Sequence, residues 1–420
     1  MKVLETDIAV IGAGPAGLAA ALEASRLGKR VTLIERSDDL GGILQQCIHD
    51  GFGLIRFKKQ LSGPQYAERF IEELKASDVS LLMDTTVLSI ENEHKLMRAV
   101  SPKEGVLEIR PGAVVLAMGC RERTRSQVEI YGTRPSGVMT AGTVQRYINL
   151  EGYLPGRRAV ILGSGDIGLI MARRMHLEGI EVLGVYELMP EVGGLARNVY
   201  QCLIDYDIPL HLSTTVKEVF GNERLEGVRV VKVDENRRPI DGTEEDIACD
   251  LLVLSVGLIP ENELSRKAGV LISPVTQGPV LDESMMTSVP GIFAAGNVSI
   301  VFDLVDYVSD SAEAAARGAV RYLDGQAPSA EPLDVILGNN VASLLPTQYR
   351  VDYIGDELSF YLRVRKMESN VRVALRQGDR VIKSRKLPVV RPAEMVALTL
   401  LREDLALIES GMPLDIHIET

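Results

Sequence analysis

The sequence predicts an α/β chain with two similar three-layer units, followed by a smaller β-rich domain. Two observations predict this fold class. A glycine-rich pattern framed by apolar runs occurs twice, and after residue 330 the composition changes to short β-branched runs separated by turn residues. The length of 420 residues agrees, because one compact domain usually holds about 100 to 200 residues.

The first pattern is TDIAVIGAGPAGLAAALEASRLGKRVTLIER, an apolar run, three glycines, a helical stretch and a second apolar run. The glycines Gly12, Gly14 and Gly17 let the backbone turn tightly and approach a pyrophosphate, which the positive end of a helix attracts. Glu35 ends the second run, roughly 20 residues on, where an acid accepts hydrogen bonds from a ribose. The pattern therefore predicts a Rossmann-like dinucleotide-binding domain.

The pattern returns in RRAVILGSGDIGLIMARRMHLEGIEVLGVYEL, with Gly163, Gly165, Gly168 and Glu187 in the same order. An acid at this position favours a free 2′-hydroxyl, hence NADH over NADPH, because a 2′-phosphate would meet like charge. Arg173 and Arg174 could serve a phosphate, but helix periodicity places them toward solvent. The alternative is a vestigial second unit that binds no nucleotide.

Three later segments suggest how the two units differ. The segment PGAVVLAMGCRERT is a predicted buried strand followed by Ala117 and Gly119. The segment CDLLVLSVGLIPENELSRKAG has the same pattern, an apolar run followed by Gly257. TSVPGIFAAGNVS ends at Gly296 and Asn297, ahead of an alanine-rich helix. Two dinucleotide folds in one chain suggest one nucleotide that is held permanently and one that is exchanged.

This ordered set resembles the two-dinucleotide-binding-domain flavoproteins, the pyridine nucleotide-disulfide oxidoreductase superfamily, over roughly residues 4–328. The resemblance implies an FAD-binding domain from 1–121 and 275–328, an NAD-binding domain from 122–274, and a β-rich domain from 331–420. The implied FAD-binding residues are Gly12, Gly14, Ala16, Gly17, Glu35, Arg36, Gly42, Val87, Ala117, Gly119, Gly296 and Asn297. The implied NAD-binding residues are Gly163, Gly165, Asp166, Ile167, Gly168, Glu187 and Gly257.

One position departs from the family pattern, because Asn297 stands where the family has aspartate. An asparagine oxygen still accepts a hydrogen bond from a ribityl hydroxyl, but it carries no charge. We therefore expect a weaker contact at an intact site. The N-terminus of the following helix is expected to stabilise negative charge on a reduced ring.

Cys47, in LGGILQQCIHDGFG, is the candidate catalytic thiol. The other cysteines lie far away in sequence, so neither CxxxxC nor CxxC exists, and the only histidine beyond position 211 is His417. Dithiol chemistry, zinc and a cysteine-ligated iron–sulfur cluster are therefore disfavoured. A single redox thiol would need a low pKa, from Lys58, Lys59 or His49 nearby. A buried inert thiol is the favoured alternative.

Several segments, GGILQQCIHDGFG, GCRERTR, GTRPSGVMTAGTVQ, GSGDIGLIMARR and AAGNVS, are similar to a narrower group. It comprises the FAD- and NAD-binding subunits that accompany a second flavoprotein of the glycerol-3-phosphate dehydrogenase type and, more distantly, the larger subunits of dye-linked proline and opine dehydrogenases. This resemblance implies an electron-transfer subunit, with electron flow in either direction. The alternatives are a soluble NADH oxidase or peroxidase that uses Cys47, and a structural subunit with an empty second site.

Composition limits the remaining function classes. A net charge of −12 disfavours nucleic-acid binding, which needs clustered Lys and Arg. No apolar run reaches about 18 residues and the start carries no secretory signal, so we expect a cytoplasmic protein with reduced thiols and no membrane span. We expect a homo- or hetero-oligomer, with the β-rich domain serving either dimerisation or docking of a partner flavoprotein.

Overall fold

The computed structural model describes residues 2–326, 328 and 330–420. The chain forms two compact units, each built from separate stretches of sequence. Unit 1 contains the residues up to Gln45, Asp50–Cys120 and Pro260 onward, and unit 2 contains Gln46–His49 and Arg121–Ile259. The predicted α/β fold class is confirmed, whereas the predicted domain boundaries stay a prediction.

The helices are α1 Pro15–Arg26, α2 Gly63–Lys75, α3 Ala141–Asn149, α4 Asp166–Leu177, α5 Ala196–Cys202, α6 Glu263–Lys267, α7 Val305–Leu323 and α8 Arg402–Leu405. The first strands are β1 Lys2–Ile11, β2 Val31–Ile34, β3 Asp50–Phe52, β4 Leu61–Ser62, β5 Ser80–Leu82, β6 Thr86–Ile90, β7 Met97–Ser101, β8 Gly105–Leu116, β9 Cys120–Glu122 and β10 Tyr131–Gly132. The next are β11 Val138–Thr140, β12 Arg158–Leu162, β13 Glu181–Tyr186, β14 Leu210–His211, β15 Thr214–Phe220, β16 Gly227–Lys232, β17 Glu245–Ala248, β18 Leu251–Leu254, β19 Leu258–Pro260 and β20 Ile292–Ala294. The last are β21 Leu333–Asp334, β22 Ile336–Leu337, β23 Val341–Leu345, β24 Gln348–Tyr349, β25 Glu357–Val364, β26 Glu368–Gln377, β27 Arg380–Val390, β28 Val396–Leu401 and β29 Asp415–Glu419.

Unit 1 is organised around a seven-stranded sheet in the order β5-β2-β1-β8-β7-β6, with β20 also paired to β8. The pairs β1–β2, β1–β8 and β8–β20 are parallel, so the glycine turn after β1 lies at the carboxyl edge of the sheet. Ligands of open α/β sheets bind at this edge. Helices α1 and α7 pack against each other beside the sheet, and alanines such as Ala20 and Ala315 allow the close approach.

Unit 2 repeats this arrangement on a smaller scale. Its five-stranded parallel sheet has the order β11-β18-β12-β13-β14, and a second sheet of four strands has the order β10-β15-β16-β17. Four of the five residues of β12 and all four of β18 are buried and aliphatic, as expected for strands that are covered on both faces. The second glycine turn follows β12, again at the carboxyl edge of a parallel sheet.

The chain beyond residue 331 is rich in strands, as predicted. It forms one sheet in the order β22-β29-β26-β27, a second in the order β23-β25-β28, and a short β21–β24 pair, with a hydrophobic core of its own. Arg350 fixes this region within unit 1 by ion-pairing with Asp282 at 2.5 Å. Burial and the charge of Asp282 raise the pKa of the adjacent Glu283 to about 8.

Candidate functional site

The turn after β1 has no room for side chains at its first and third glycines. Gly12 has φ +99°, and a Cβ added to it would lie 2.5 Å from the carbonyl oxygen of Ala117. A Cβ on Gly17 would lie 1.6 Å from the oxygen of Gly12, because α1 packs directly onto the turn. The amide of Gly12 donates to Ile34 O at 2.8 Å, which joins the turn to the second strand. These glycines are therefore required by the fold.

Gly14 differs, because its lack of a side chain leaves open space. A Cβ added there would meet nothing within 4 Å among the described residues, and its φ of −72° and ψ of −174° suit any residue. Gly14 is the N-cap of α1 and Pro15 is the first helical residue. Since the cap has no side-chain acceptor, the amides of the first turn face a space that an anion would fill.

Glu35 lies buried at the end of β2 with its carboxylate on the turn. Its Oε2 accepts from Ala13 N at 2.7 Å, and its Oε1 accepts from Ser37 N at 2.9 Å. A carboxylate has about four acceptor positions, so each oxygen retains capacity for a ribose hydroxyl. Arg36, the next residue, is exposed, and Val87 is buried in β6 near Thr85, whose amide donates to Glu35 O.

Segments distant in sequence converge on this turn. A Cβ on Gly42, which has φ +55°, would lie 3.0 Å from Gly14 Cα, and one on Gly296 would lie 2.8 Å from Ala16 Cβ. Ala117 N donates to Ile11 O at 2.9 Å. These predicted FAD-binding positions therefore lie around one open glycine turn, and their roles stay a prediction.

Asn297 is already engaged by protein groups. Its Oδ1 accepts from Phe302 N at 3.0 Å, and its Nδ2 contacts Cys120 Sγ at 3.5 Å. The oxygen keeps one lone pair, so a ribityl hydroxyl remains a possible donor. Helix α7 begins only at Val305, after a short 3₁₀ turn at Gly296–Val298, so its N-terminus does not directly follow Asn297.

The N-terminal half of α7 carries three acidic residues, Asp306, Asp310 and Glu313, whose pairing sequence reasoning missed. The backbone amide of Arg56 donates to Asp306 at 3.0 Å, and its guanidinium pairs with Asp310 at 3.3 Å and with Glu313. Burial raises the pKa of Asp310 to about 6 despite Arg56. These residues lie some 250 positions from Arg56, so no local pattern reveals the pairing.

The glycine turn of unit 2 follows the same rules. Gly163 has φ +100° and an added Cβ would lie 2.1 Å from Ser255 O, while a Cβ on Gly168 would lie 2.4 Å from Gly163 O. Gly165, the N-cap of α4, has φ −64° and ψ 164°, and an added Cβ would approach only Ser255 Oγ, at 4.0 Å. Again the second glycine alone faces open space.

Glu187 lies buried at the end of β13, as Glu35 does after β2. Its Oε2 accepts from Ser164 N at 2.8 Å and from Ser164 Oγ at 2.6 Å, and its Oε1 accepts from Met189 N at 2.9 Å. Ser164 was missed by sequence reasoning, which named the glycines of the turn and Asp166 and Ile167 at the start of the helix. Asp166 and the half-buried Ile167 open α4, so the predicted NAD-binding positions of the turn lie together.

Arg173 and Arg174 do not simply face solvent, so that expectation was wrong. Both are half-buried. Arg173 donates to Tyr206 Oη at 3.3 Å, and Arg174 donates to Asn149 Oδ1 at 2.9 Å and pairs with Glu178 at 2.7 Å. Long side chains on α4 cover apolar surface with their stems, which periodicity alone does not reveal.

Two further predicted glycines, Gly119 and Gly257, lie close in sequence to the points where the chain passes from one unit to the other. Gly119 has φ +70° and its carbonyl accepts from Glu261 N at 3.0 Å, within unit 1. Gly257 has φ +100° and its carbonyl accepts from Arg123 N at 3.0 Å, within unit 2. Both sites need the left-handed conformation that glycine adopts without strain.

Cys47 lies in unit 2 and has the environment of an unreactive thiol. Burial raises its pKa to about 12, and its Sγ lies 3.8 Å from Gln145 Oε1, a neutral acceptor. A nucleophilic or redox thiol needs a pKa lowered by nearby positive charge. The environment therefore favours the inert interpretation, although the role of Cys47 stays a prediction.

Both turns fit a dinucleotide. Each has a helix N-terminus without a side-chain cap, one open glycine and a buried carboxylate with free acceptor capacity, which match a pyrophosphate and a ribose. Across the described residues, no helix is long and apolar enough to cross a membrane. Within the same residues, no group of three or more His, Cys, Asp or Glu is placed to hold a metal ion.

A model of the pyridine nucleotide-disulphide oxidoreductase family matches residues 6–319, three quarters of the chain. The chain belongs to this family of FAD- and pyridine nucleotide-dependent oxidoreductases, which confirms the predicted enzyme class at the family level. The glycine turns and the late Gly296 segment all lie within the matched region.

Two relatives have names that describe subunits. The chain is 29% identical to hydrogen cyanide synthase subunit HcnB of Pseudomonas protegens over 62% of its length, and 28% identical to an opine oxidase subunit of Agrobacterium tumefaciens over 69%. It spans 58% and 61% of the lengths of these relatives. The thioredoxin reductase of T. acidophilum has a similar fold, with a TM-score of 0.62 and 23% identity over 77% of this chain and 99% of that one.

Proposed function

We propose that the chain is an FAD-dependent NAD(P)H oxidoreductase that works as an electron-transfer subunit with a substrate-oxidising flavoprotein, for which the glycerol-3-phosphate dehydrogenase type is our candidate. The main observation in support is that each unit contains an open glycine turn with a buried carboxylate beside it, which we call its cradle. The first cradle has Gly14 and Glu35 in unit 1, and the second has Gly165 and Glu187 in unit 2. Bound flavin exchanges hydride with nicotinamide and passes electrons onward one or two at a time.

In this proposal the chain supplies binding and position. The Gly14 turn and Glu35 hold the pyrophosphate and ribose of FAD, and the Gly165 turn and Glu187 hold those of NAD(H). If Glu187 accepts from the ribose hydroxyls as proposed, a 2′-phosphate would meet its negative charge, and this supports a preference for NADH over NADPH. The open space at Gly165 argues against a vestigial second site.

The partner proposal is supported by the names of both relatives, which describe subunits, and by the environment of Cys47. A peroxidase or oxidase that uses one thiol would need a thiolate, whereas burial raises the pKa of Cys47 to about 12. An electron-transfer subunit needs no protein thiol, because a flavin held by the Gly14 turn and Glu35 would supply the redox chemistry. The surface that docks the partner is proposed to lie in 331–420.

The test compares electron acceptors under NADH. Purified protein should release FAD on denaturation and reduce an artificial dye rapidly, but oxygen or peroxide only slowly. Co-expression with a candidate partner flavoprotein should yield a complex that couples substrate oxidation to NAD or dye. Turnover of oxygen or peroxide at tens per second, a typical enzyme rate, would replace this proposal with the oxidase one.

A further inference from the structure

Unit 2 carries a second glycine pair at the same spacing as unit 1. In unit 1, Glu35 is followed by Gly41 and Gly42, and in unit 2 Glu187 is followed by Gly193 and Gly194. In each unit the segment after the acid returns to the glycine turn. Gly41 N donates to Ala13 O at 2.8 Å, and Gly193 N donates to Ser164 Oγ at 2.8 Å.

One glycine of each pair faces the amide of the open glycine in the turn. A Cβ added to Gly42 would lie 3.6 Å from Gly14 N, and one added to Gly193 would lie 3.6 Å from Gly165 N. Gly42 and Gly193 are exposed, whereas the other glycine of each pair, Gly41 or Gly194, is buried. In each unit an exposed glycine therefore lies beside the amide that a pyrophosphate approaches, although Gly42 is the second of its pair and Gly193 the first.

The fold does not require glycine at position 193. Its backbone is not in the left-handed region, and an added Cβ would make only ordinary contacts at 3.6 Å or more. Gly194, in contrast, would clash, since its Cβ would lie 2.6 Å from Leu169 Cδ1 and 3.0 Å from Ser164 O. Gly193 therefore leaves open space beside the Gly165 amide, where the pyrophosphate of the proposed nucleotide would lie.

In unit 2, side chains of the glycine turn hydrogen-bond to the segment that contains Gly193. Ser164 Oγ accepts from Gly193 N and donates to Glu187 Oε2, so one hydroxyl links the strand end to the segment. Asp166 Oδ1 accepts from Leu195 N at 2.8 Å and from Asn198 Nδ2 at 2.7 Å. The corresponding residues of unit 1, Ala13 and Pro15, have no side-chain group that could do this.

We propose that residues 189–195, the strap, form a wall of the dinucleotide site in unit 2. Gly193 leaves room for the pyrophosphate beside the Gly165 amide, and Ser164 and Asp166 are positioning residues that hold the strap in place. The ligand class is an adenosine nucleotide with a pyrophosphate. This inference rests on the proposed function, because it assigns residues to the nucleotide site of unit 2.

The test measures binding of ADP-ribose, which has the pyrophosphate but no nicotinamide, to FAD-loaded protein by calorimetry. Gly193→Val should raise the Kd on the order of 100-fold, as expected when charge-assisted hydrogen bonds to the phosphates are blocked, while FAD content and Tm stay unchanged. Gly355→Val is the matched control, because its added Cβ would approach only Arg321, at 3.8 Å, outside the left-handed region. It should bind ADP-ribose normally.

Ser164→Ala separately tests the hydrogen bond that holds the strap to the turn. Loss of one hydroxyl should raise the Kd about five-fold, a typical effect of one hydrogen bond, and should speed hydrogen exchange at the Gly193 amide in the absence of ligand. If parent protein binds neither ADP-ribose nor NADH, the proposed nucleotide site of unit 2 fails, and the strap fails with it. If the parent binds and Gly193→Val binds equally well, the strap alone is overturned.

Discussion

Gly14→Val should give folded protein without FAD. None of the described residues would lie within 4 Å of a Cβ added at Gly14, and the backbone angles there suit valine, so the fold should accept the substitution. The side chain would occupy the space over the first turn of α1, where a pyrophosphate receives amide hydrogen bonds. Two such bonds to a charged group contribute about 3–6 kcal/mol, so the Kd for FAD should rise at least about 100-fold.

The assay is the ratio of FAD to protein after purification, with a titration of added FAD and a thermal melt. Gly165→Val is the matched control, since its position in unit 2 is equally open and its FAD content should be normal. Gly17→Val should fail to fold, because its Cβ would lie 1.6 Å from Gly12 O. Stoichiometric FAD in folded Gly14→Val protein would refute the assignment of the first cradle.

Three further predictions follow from single residues. Parent protein should show at least ten-fold higher kcat/KM with NADH than with NADPH, about 1.4 kcal/mol of discrimination. Glu187→Gln should reduce this ratio of kcat/KM values. Equal kcat/KM with both nucleotides in the parent would contradict the role of Glu187. Cys47→Ser should keep its FAD and its NADH-driven dye reduction, because a thiol with a pKa of about 12 is protonated; loss of dye reduction with FAD retained would favour a thiol relay. Glu283 has a raised pKa of about 8, so the folded state retains a proton that the unfolded state releases, and stability should fall as pH rises from about 5 to 8. Glu283→Gln should flatten that decline in pH-dependent melts, and an unchanged slope would show that Glu283 does not cause it.

The sequence predicted those features that depend on short-range order. A glycine turn followed by a helix, a strand and an acid predicted where Glu35 and Glu187 lie, because the βαβ unit places the end of its second strand beside the turn. The β-rich character after residue 331 followed from β-branched runs and turn residues. These signals reflect local backbone preferences, which the fold does not override.

Features that depend on distant segments were not predictable. The pairing of Arg56 with Asp310 joins residues far apart in the chain, and the half-burial of Arg173 depends on Tyr206. The hydrogen bond between Ser164 and Glu187 lies within a recognised motif, yet the motif leaves the residue between its first two glycines unspecified, so it gave Ser164 no role. Comparing the two units position by position would have revealed the second glycine pair, since Gly193 and Gly194 follow Glu187 at the spacing at which Gly41 and Gly42 follow Glu35.

Anaerobic mixing of purified protein with NADH, followed by flavin absorbance, tests the central claim most directly. The account predicts that parent protein is yellow and bleaches with saturating dependence on NADH, that Cys47→Ser behaves alike, and that Gly165→Val stays yellow without bleaching because its second cradle is blocked. A yellow parent that does not bleach with NADH or NADPH, or a Gly165→Val variant that bleaches like the parent, would contradict the proposed reduction of bound flavin by NADH.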